Sequence, residues 1–163
     1  MNKTCVKYCP TDYYAYSRTN KCVQYCDHWR FYADNITWRC LEHCPADPDY
    51  YADYSTRTCV IRCPNNTFAE NNSLTASTLR SCVSSRYCES PKVADPVNNR
   101  CVGRCTIDPM YFAMPTTKLC GPNCFSGLFA DNSTGLCVVQ CPSPYFGVNT
   151  TTYYYCTQYC PPD

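Results

Sequence analysis

Residues 31–40 read FYADNITWRC and residues 129–137 read FADNSTGLC. Both run aromatic, Ala, Asp, Asn, one variable residue and Thr, with a cysteine three residues after the Thr. The frame recurs eight times along the chain, as YAYSRT, YADNIT, YADYST, FAENNS, VADPVN, FAMPTT, FADNST and FGVNTT. An aromatic precedes the Ala or Gly in seven of the eight, and Thr, Ser or Asn stands four residues after it in all of them. A chain that repeats one phrase at a fixed spacing is an array, so the phrase decides the fold.

The cysteines give the register. They fall in nine doublets, 5/9, 22/26, 40/44, 59/63, 82/88, 101/105, 120/124, 137/141 and 156/160, and all but 82/88 are C-x3-C. The first cysteines of successive doublets lie 17, 18, 19, 23, 19, 19, 17 and 19 residues apart, a period near nineteen with one stretched unit. Proline follows the second cysteine in five of the nine doublets. A unit this short has no room for a helix with a partner. Pro at one end, aromatics in the middle and an Asp/Asn/Ser/Thr cluster before the next cysteine predict a strand, a turn and a returning strand. The Asp, Asn and Thr side chains at the turn are suited to hydrogen-bond nearby backbone, as in Asx- and ST-turns. Small hairpins are marginal alone, so each leans on its neighbours and the expected product is an extended rod. The expected fold class is small, disulfide-rich and mainly β, with eight tandem hairpin modules in one array over 1–163. The units run about 5–21, 22–39, 40–58, 59–81, 82–100, 101–119, 120–136 and 137–155, with a partial unit at 156–163.

Composition explains why cross-links are needed. Leu, Ile, Val and Phe make only 25 of 163 residues, too few for a conventional core, whereas cysteine makes 18. Such a cysteine content belongs to oxidising compartments, so the expected location is extracellular or at the cell surface. Sixteen tyrosines supply packing area while leaving their hydroxyls wet. The net charge of +1, without a run of like charge, points to no nucleic-acid or anionic-membrane partner. No eighteen-residue apolar run and no apolar segment after Met1 are present. Neither a membrane span nor a signal peptide is therefore expected, and the chain reads as a mature piece or an internal segment of something longer.

The pattern CVxxCP…YAD…T…CVxxCP resembles the furin-like, growth-factor-receptor-type cysteine-rich repeats. The tyrosine- and threonine-rich version here is similar to the long arrays in surface proteins of ciliates and other microbial eukaryotes. The likeness covers the whole chain, and it specifies architecture far better than function. It implies that the second cysteine of each doublet joins the first of the next: Cys9–Cys22, Cys26–Cys40, Cys44–Cys59, Cys63–Cys82, Cys88–Cys101, Cys105–Cys120, Cys124–Cys137 and Cys141–Cys156. An interlocked pairing of 1–3 and 2–4 across two doublets also occurs in the family, and it strands one whole doublet here. The first pattern leaves Cys5 and Cys160 without partners. Either further modules supply those partners, or Cys160 of one copy meets Cys5 of the next in a head-to-tail polymer. A noncovalent filament and free terminal thiols are the remaining outcomes.

Six asparagines stand in N-x-S/T sequons, Asn2, Asn35, Asn65, Asn71, Asn132 and Asn149, where chance predicts roughly two. Asn35, Asn71, Asn132 and Asn149 share one place in the repeat, two residues past the Ala or Gly. Covalent glycans at regular intervals are expected. The competing view is that Asn and Thr are simply good turn residues. The stretched unit's SLTASTLRSCVSSR is rich in hydroxyls, which suits O-glycans or a mobile loop equally.

Other chemistry finds little support. Zinc sites more often use C-x2-C, and a ladder of nine doublets is not their usual arrangement, so no metal and no cofactor are expected. His28 and His43 have no repeat-equivalent acid or nucleophile beside them, so no catalytic residue is assigned and the chain is read as a non-enzyme. The Asp at 34, 53, 95 and 131 is a turn residue by position. Tyr8, Tyr25, His43, Arg62, Tyr87, Arg104, Asn123, Gln140 and Tyr159 precede each second cysteine and are expected to cover or stack along the array. The aromatics Tyr14, Tyr32, Tyr51, Phe68, Phe112, Phe129 and Phe146, one per unit, are expected to form the thin core. The function expected from all this is a structural subunit or repeat block of a glycosylated extracellular fibre or surface appendage. Its partners would be copies of itself or further repeats. A stalk or ligand-binding ectodomain of a surface receptor or adhesin is the alternative, and a secreted inhibitor or toxin would normally be shorter and less periodic.

Overall fold

The computed structural model describes residues 6–26, 30–47, 49–71, 80–107, 110–125, 127–150 and 152–160. Sixteen short strands pair into eight antiparallel hairpins: β1 (Tyr14–Tyr16) with β2 (Lys21–Val23), β3 (Tyr32–Asp34) with β4 (Arg39–Leu41), β5 (Tyr51–Asp53) with β6 (Thr58–Val60), β7 (Phe68–Asn71) with β8 (Arg80–Val83), β9 (Val93–Asp95) with β10 (Arg100–Val102), β11 (Phe112–Ala113) with β12 (Cys120–Gly121), β13 (Phe129–Asp131) with β14 (Leu136–Val138), and β15 (Phe146–Asn149) with β16 (Tyr154–Thr157). The fold is small, disulfide-rich and mainly β. The chain forms two compact units, Met1–Asn65 with Ala69–Cys82, and Asn66–Phe68 with Val83–Asp163.

Each hairpin is closed by one bridge. The eight bonds are Cys9–Cys22, Cys26–Cys40, Cys44–Cys59, Cys63–Cys82, Cys88–Cys101, Cys105–Cys120, Cys124–Cys137 and Cys141–Cys156. These are the pairs the family resemblance implies. The one C-x5-C doublet, Cys82 and Cys88, accommodates its two extra residues as a single 3-10 turn at Ser85–Tyr87. Residues 72–79, which hold half of the hydroxyl-rich stretch, lie outside the described residues.

Hairpins add to one another by a single rule. Within the first unit the strands lie in the order β2-β1-β4-β3-β6-β5-β8-β7, and the last three hairpins of the second unit repeat it as β12-β11-β14-β13-β16-β15. The first strand of each hairpin therefore pairs antiparallel with its own return strand and parallel with the return strand of the next hairpin. The contact residue in five of these pairs is the repeat's alanine: Ala15 faces Arg39, Ala33 faces Thr58, Ala52 faces Ser81, Ala113 faces Leu136 and Ala130 faces Tyr155. Ala94 makes the same parallel bridge to Leu119.

The alanine is small for a reason the register shows. Across its own hairpin it stands opposite the bridged cysteine, as Ala33 does to Cys40 and Ala52 to Cys59. On top of that Ala and bridge lies the aromatic of the preceding hairpin. Tyr32 packs on Ala52, Cys44 and Cys59, Tyr51 on Ala69, Cys63 and Cys82, and Phe112 on Ala130, Cys124 and Cys137. The core is thus a series of small clusters, one aromatic against the next bridge, as expected from one aromatic per unit. In the eighth hairpin Gly147 takes the alanine's place, and a Cβ there would lie 2.7 Å from Cε1 of Phe129. The Gly147→Ala variant forces the half-buried Phe129 ring to shift and costs about 1 kcal/mol. Thermal unfolding of the two proteins measures it.

Candidate functional site: the seam between hairpins

The seam is built from the turn. Six of the hairpin loops carry a residue in the left-handed region two positions before the cysteine: Asn20, Trp38, Arg57, Asn99, Lys118 and Gly135 have φ between 53° and 73°. This conformation aims the carbonyl away from its own hairpin, toward the alanine N–H of the one before. Ala15 donates to Trp38 at 2.7 Å, Ala33 to Arg57 at 2.8 Å, Ala94 to Lys118 at 2.7 Å and Ala113 to Gly135 at 2.9 Å. The loop closes on itself through the same residues, Trp38 N–H donating to Asp34 O at 2.9 Å and Gly135 N–H to Asp131 O at 2.8 Å. Turn geometry and module docking are therefore one structure.

The loop is held from inside by the phrase's carboxylate. Asp34, Asp53, Asp95 and Asp131 are buried, each at most 3% exposed, and Glu70 occupies the same place in the fourth hairpin. Asp53 accepts from Ser55 N–H at 3.0 Å, Ser55 Oγ at 2.8 Å and Thr56 Oγ1 at 2.6 Å. Asp131 accepts from Ser133 N–H at 2.9 Å, Ser133 Oγ at 2.7 Å and Thr134 Oγ1 at 2.6 Å. In the fifth hairpin Asn98 supplies the donor where others use Thr, at 2.7 Å from Asp95 Oδ2. Burial alone pushes the Asp53 carboxyl up, but the Thr56 hydroxyl, the Ser55 N–H and hydroxyl and the Thr56 N–H outweigh it, so the group sits below the ordinary range. Asp131 is lowered in the same way, with Thr134 and Ser133 as donors.

These contacts bear on the sequons. Asn35, Asn65, Asn71, Asn132 and Asn149 are all exposed, so their amides reach solvent, while Asn2 lies outside the described residues. The sequon threonines at 37 and 134, however, have their hydroxyls on the buried Asp34 and Asp131. Thr56, in a hairpin whose phrase has Tyr54 and no sequon, does the same. The recurring Thr is thus explained by the turn, whatever the neighbouring Asn carries. Asp34, Asp53, Asp95 and Asp131 are turn residues, as their position indicated.

Several expected side chains stand elsewhere than their position in the repeat implies. The row before each second cysteine is exposed, with Tyr8 at 77% and Tyr159 at 82%, and Tyr25, His43, Arg62, Tyr87, Arg104, Asn123 and Gln140 exposed as well; Arg104 still reaches over the seventh hairpin's loop, its Nη2 donating to Ser133 O at 3.2 Å. Tyr14 and Phe129 are half-buried, and Phe146 is 55% exposed, because no Ala and bridge of a following hairpin lie on it among the described residues. Cys160 is exposed and unbridged, whereas Cys5 and His28 lie outside the described residues. The sixteen bridged cysteines carry no thiolate for metal or nucleophilic chemistry. A glycine is foreseeable at the left-handed loop position, but Trp38, Arg57 and Lys118 carry no such signal.

No family model matches the chain. No curated protein matches it either, and no solved structure does. Among the described residues no helix is long and apolar enough to cross a membrane.

Proposed function

We propose that this chain is a structural repeat block of an extracellular fibre or cell-surface appendage, glycosylated on its exposed turns. The observation that carries this is the seam: six alanines make the same parallel contact to the hairpin that follows. An assembly rule repeated from hairpin to hairpin suits a protein whose task is length and uniformity. Phe146 and Gly147 present the outgoing half of that seam, and its complement is another hairpin of the same build, whether further along a longer chain or from another copy. Sixteen bridged cysteines fit an oxidising compartment.

Electron microscopy of the native material tests it. Filaments with an axial repeat of a whole number of hairpins are expected, and dispersed short particles would sink the proposal. Non-reducing electrophoresis then reports on Cys160: a ladder that collapses on reduction marks covalent polymer, and a single unchanged band removes it. The outward tyrosines Tyr8, Tyr25, Tyr87 and Tyr159 favour a second reading, a receptor or adhesin ectodomain with a binding face. That reading predicts a soluble ligand whose binding is lost when those four are changed to Ser.

A further inference from the structure

Two of the phase-locked sequon asparagines share an environment that exposure alone does not describe. Asn35, in the second hairpin, accepts a hydrogen bond at its Oδ1 from the Tyr14 hydroxyl of the first, at 2.5 Å. The Tyr14 ring stacks on Trp38 with centroids 5.6 Å apart and planes inclined by 28°, and Trp38 stays 42% exposed. An aromatic platform therefore lies beside the amide, across the seam from one hairpin to the next. Asn132, in the seventh hairpin, also has aromatic surroundings: it lines a cleft of about 230 Å³ with Asn123, with the buried Phe112 of the sixth hairpin and with Tyr153 and Tyr154 of the eighth. Phe112 holds the same place in its hairpin as Tyr14. The cleft is smaller than the roughly 300–1,000 Å³ of drug-sized sites, which suits a single sugar ring.

We propose that the first N-acetylhexosamine attached to Asn35 and to Asn132 lies back on these aromatic seams, sealing one hairpin to the next. This rests on the glycosylation reading above. The apolar C–H face of the sugar covers Trp38 and Tyr14, or Tyr153 and Tyr154, and its acetamido group reaches the polar rim, with Asn123 at hand in the second cleft. In the folded chain Tyr14 donates to Oδ1, the amide atom that the modification leaves unsubstituted. In the attachment step Nδ2 bonds to the anomeric carbon of a lipid-pyrophosphate-linked oligosaccharide. The bond from that carbon to the pyrophosphate oxygen breaks, the lipid pyrophosphate leaves with its electron pair, and the Nδ2 proton passes to the transferase's base. Because the hydroxyls of Thr37 and Thr134 are committed to Asp34 and Asp131 in the folded hairpin, the transfer precedes folding of that turn.

The test uses the full chain secreted from a eukaryotic host. Peptide mass spectrometry after enzymatic glycan release in ¹⁸O water first reads occupancy. Occupied Asn35 and Asn132 are expected, and unoccupied sites overturn both the modification and the packing. On chain trimmed to single N-acetylglucosamine residues, NMR then reads packing. Contacts from the acetyl methyl to the Trp38 or Tyr14 ring and to the Tyr153 or Tyr154 ring are expected, with an upfield shift of that methyl. The sugar on Asn65, which lies outside the repeat phase, is the internal control. Sugars at 35 and 132 with the control's spectrum overturn the packing and leave the modification standing. In the Trp38→Ala variant the contacts at Asn35 disappear while those at Asn132 persist, so loss of one turn is not mistaken for loss of the fold.

Discussion

Full reduction unfolds this chain. Each bridge closes a loop with a sequence separation of 13 to 19 residues, worth about 3 kcal/mol in the chain-entropy account. Eight such loops outweigh the roughly 5–15 kcal/mol by which folded domains exceed their unfolded chains. Little remains to replace them: each apolar cluster holds three to five buried residues, and one or two of those are the bridged cysteines themselves. The expected result of a reductant titration followed by near-ultraviolet circular dichroism is complete loss of the tyrosine signal. Removing one bridge, with Cys44→Ser and Cys59→Ser together, is expected to cost about 3 kcal/mol and to strip Tyr32 of the surface it packs on. A reduced chain that still melts cooperatively contradicts this account of the fold.

The second large effect is at the buried carboxylates. Asp53→Ala removes the acceptor of the Ser55 N–H and of two hydroxyls at once. Hydrogen bonds to a charged acceptor contribute about 1.5–3 kcal/mol each, and the exposed Ser55 and Thr56 recover part of that from water, so a loss of about 2–4 kcal/mol is expected. Calorimetry of the variant measures it. The same carboxylate sets a pH dependence. Asp53 titrates below its unfolded value, so its stabilisation is complete above the ordinary carboxylate pKa of about 4 and is lost as pH falls through the lowered native value. Asp131 acts in the same direction. Melting temperature is therefore flat near neutrality and drops in acid, and Asp53→Asn flattens the acid limb. An unchanged acid limb in that variant refutes the assignment.

How much of this was legible follows from which interactions are local. The doublets and the recurring phrase mark the hairpins because a bridge, a turn and an aromatic each leave a residue type at a fixed place. Cys26, Asp34, Thr37 and Cys40 can be read in that way, and so can Tyr32 as core. The parallel contact of Ala33 with Thr58 cannot, since either residue is compatible with many neighbours. The left-handed residues are hidden for a related reason. Gly135 announces itself, but Trp38, Arg57 and Lys118 are held at positive φ by hydrogen bonds of the loop and the adjoining hairpin. The outward tyrosines misled because a flat, polar-ended side chain serves equally well as a cover or a projection, and its residue type does not say which. The sequons are ambiguous for a different cause: one threonine satisfies both a modification signal and a buried aspartate.

The placement of the bridges has a mechanical consequence. Cysteines 13 to 19 residues apart in sequence lie only 5.4–5.7 Å apart between Cα atoms. Without the bridges, those residues would pay out roughly 45–65 Å of contour per loop at about 3.5 Å each. Under tension an intact bridge diverts the load past the whole loop, so the chain yields only through the short spacers within each doublet. Oxidised, it behaves as a tether of nearly fixed length; reduced, it becomes a long elastic line.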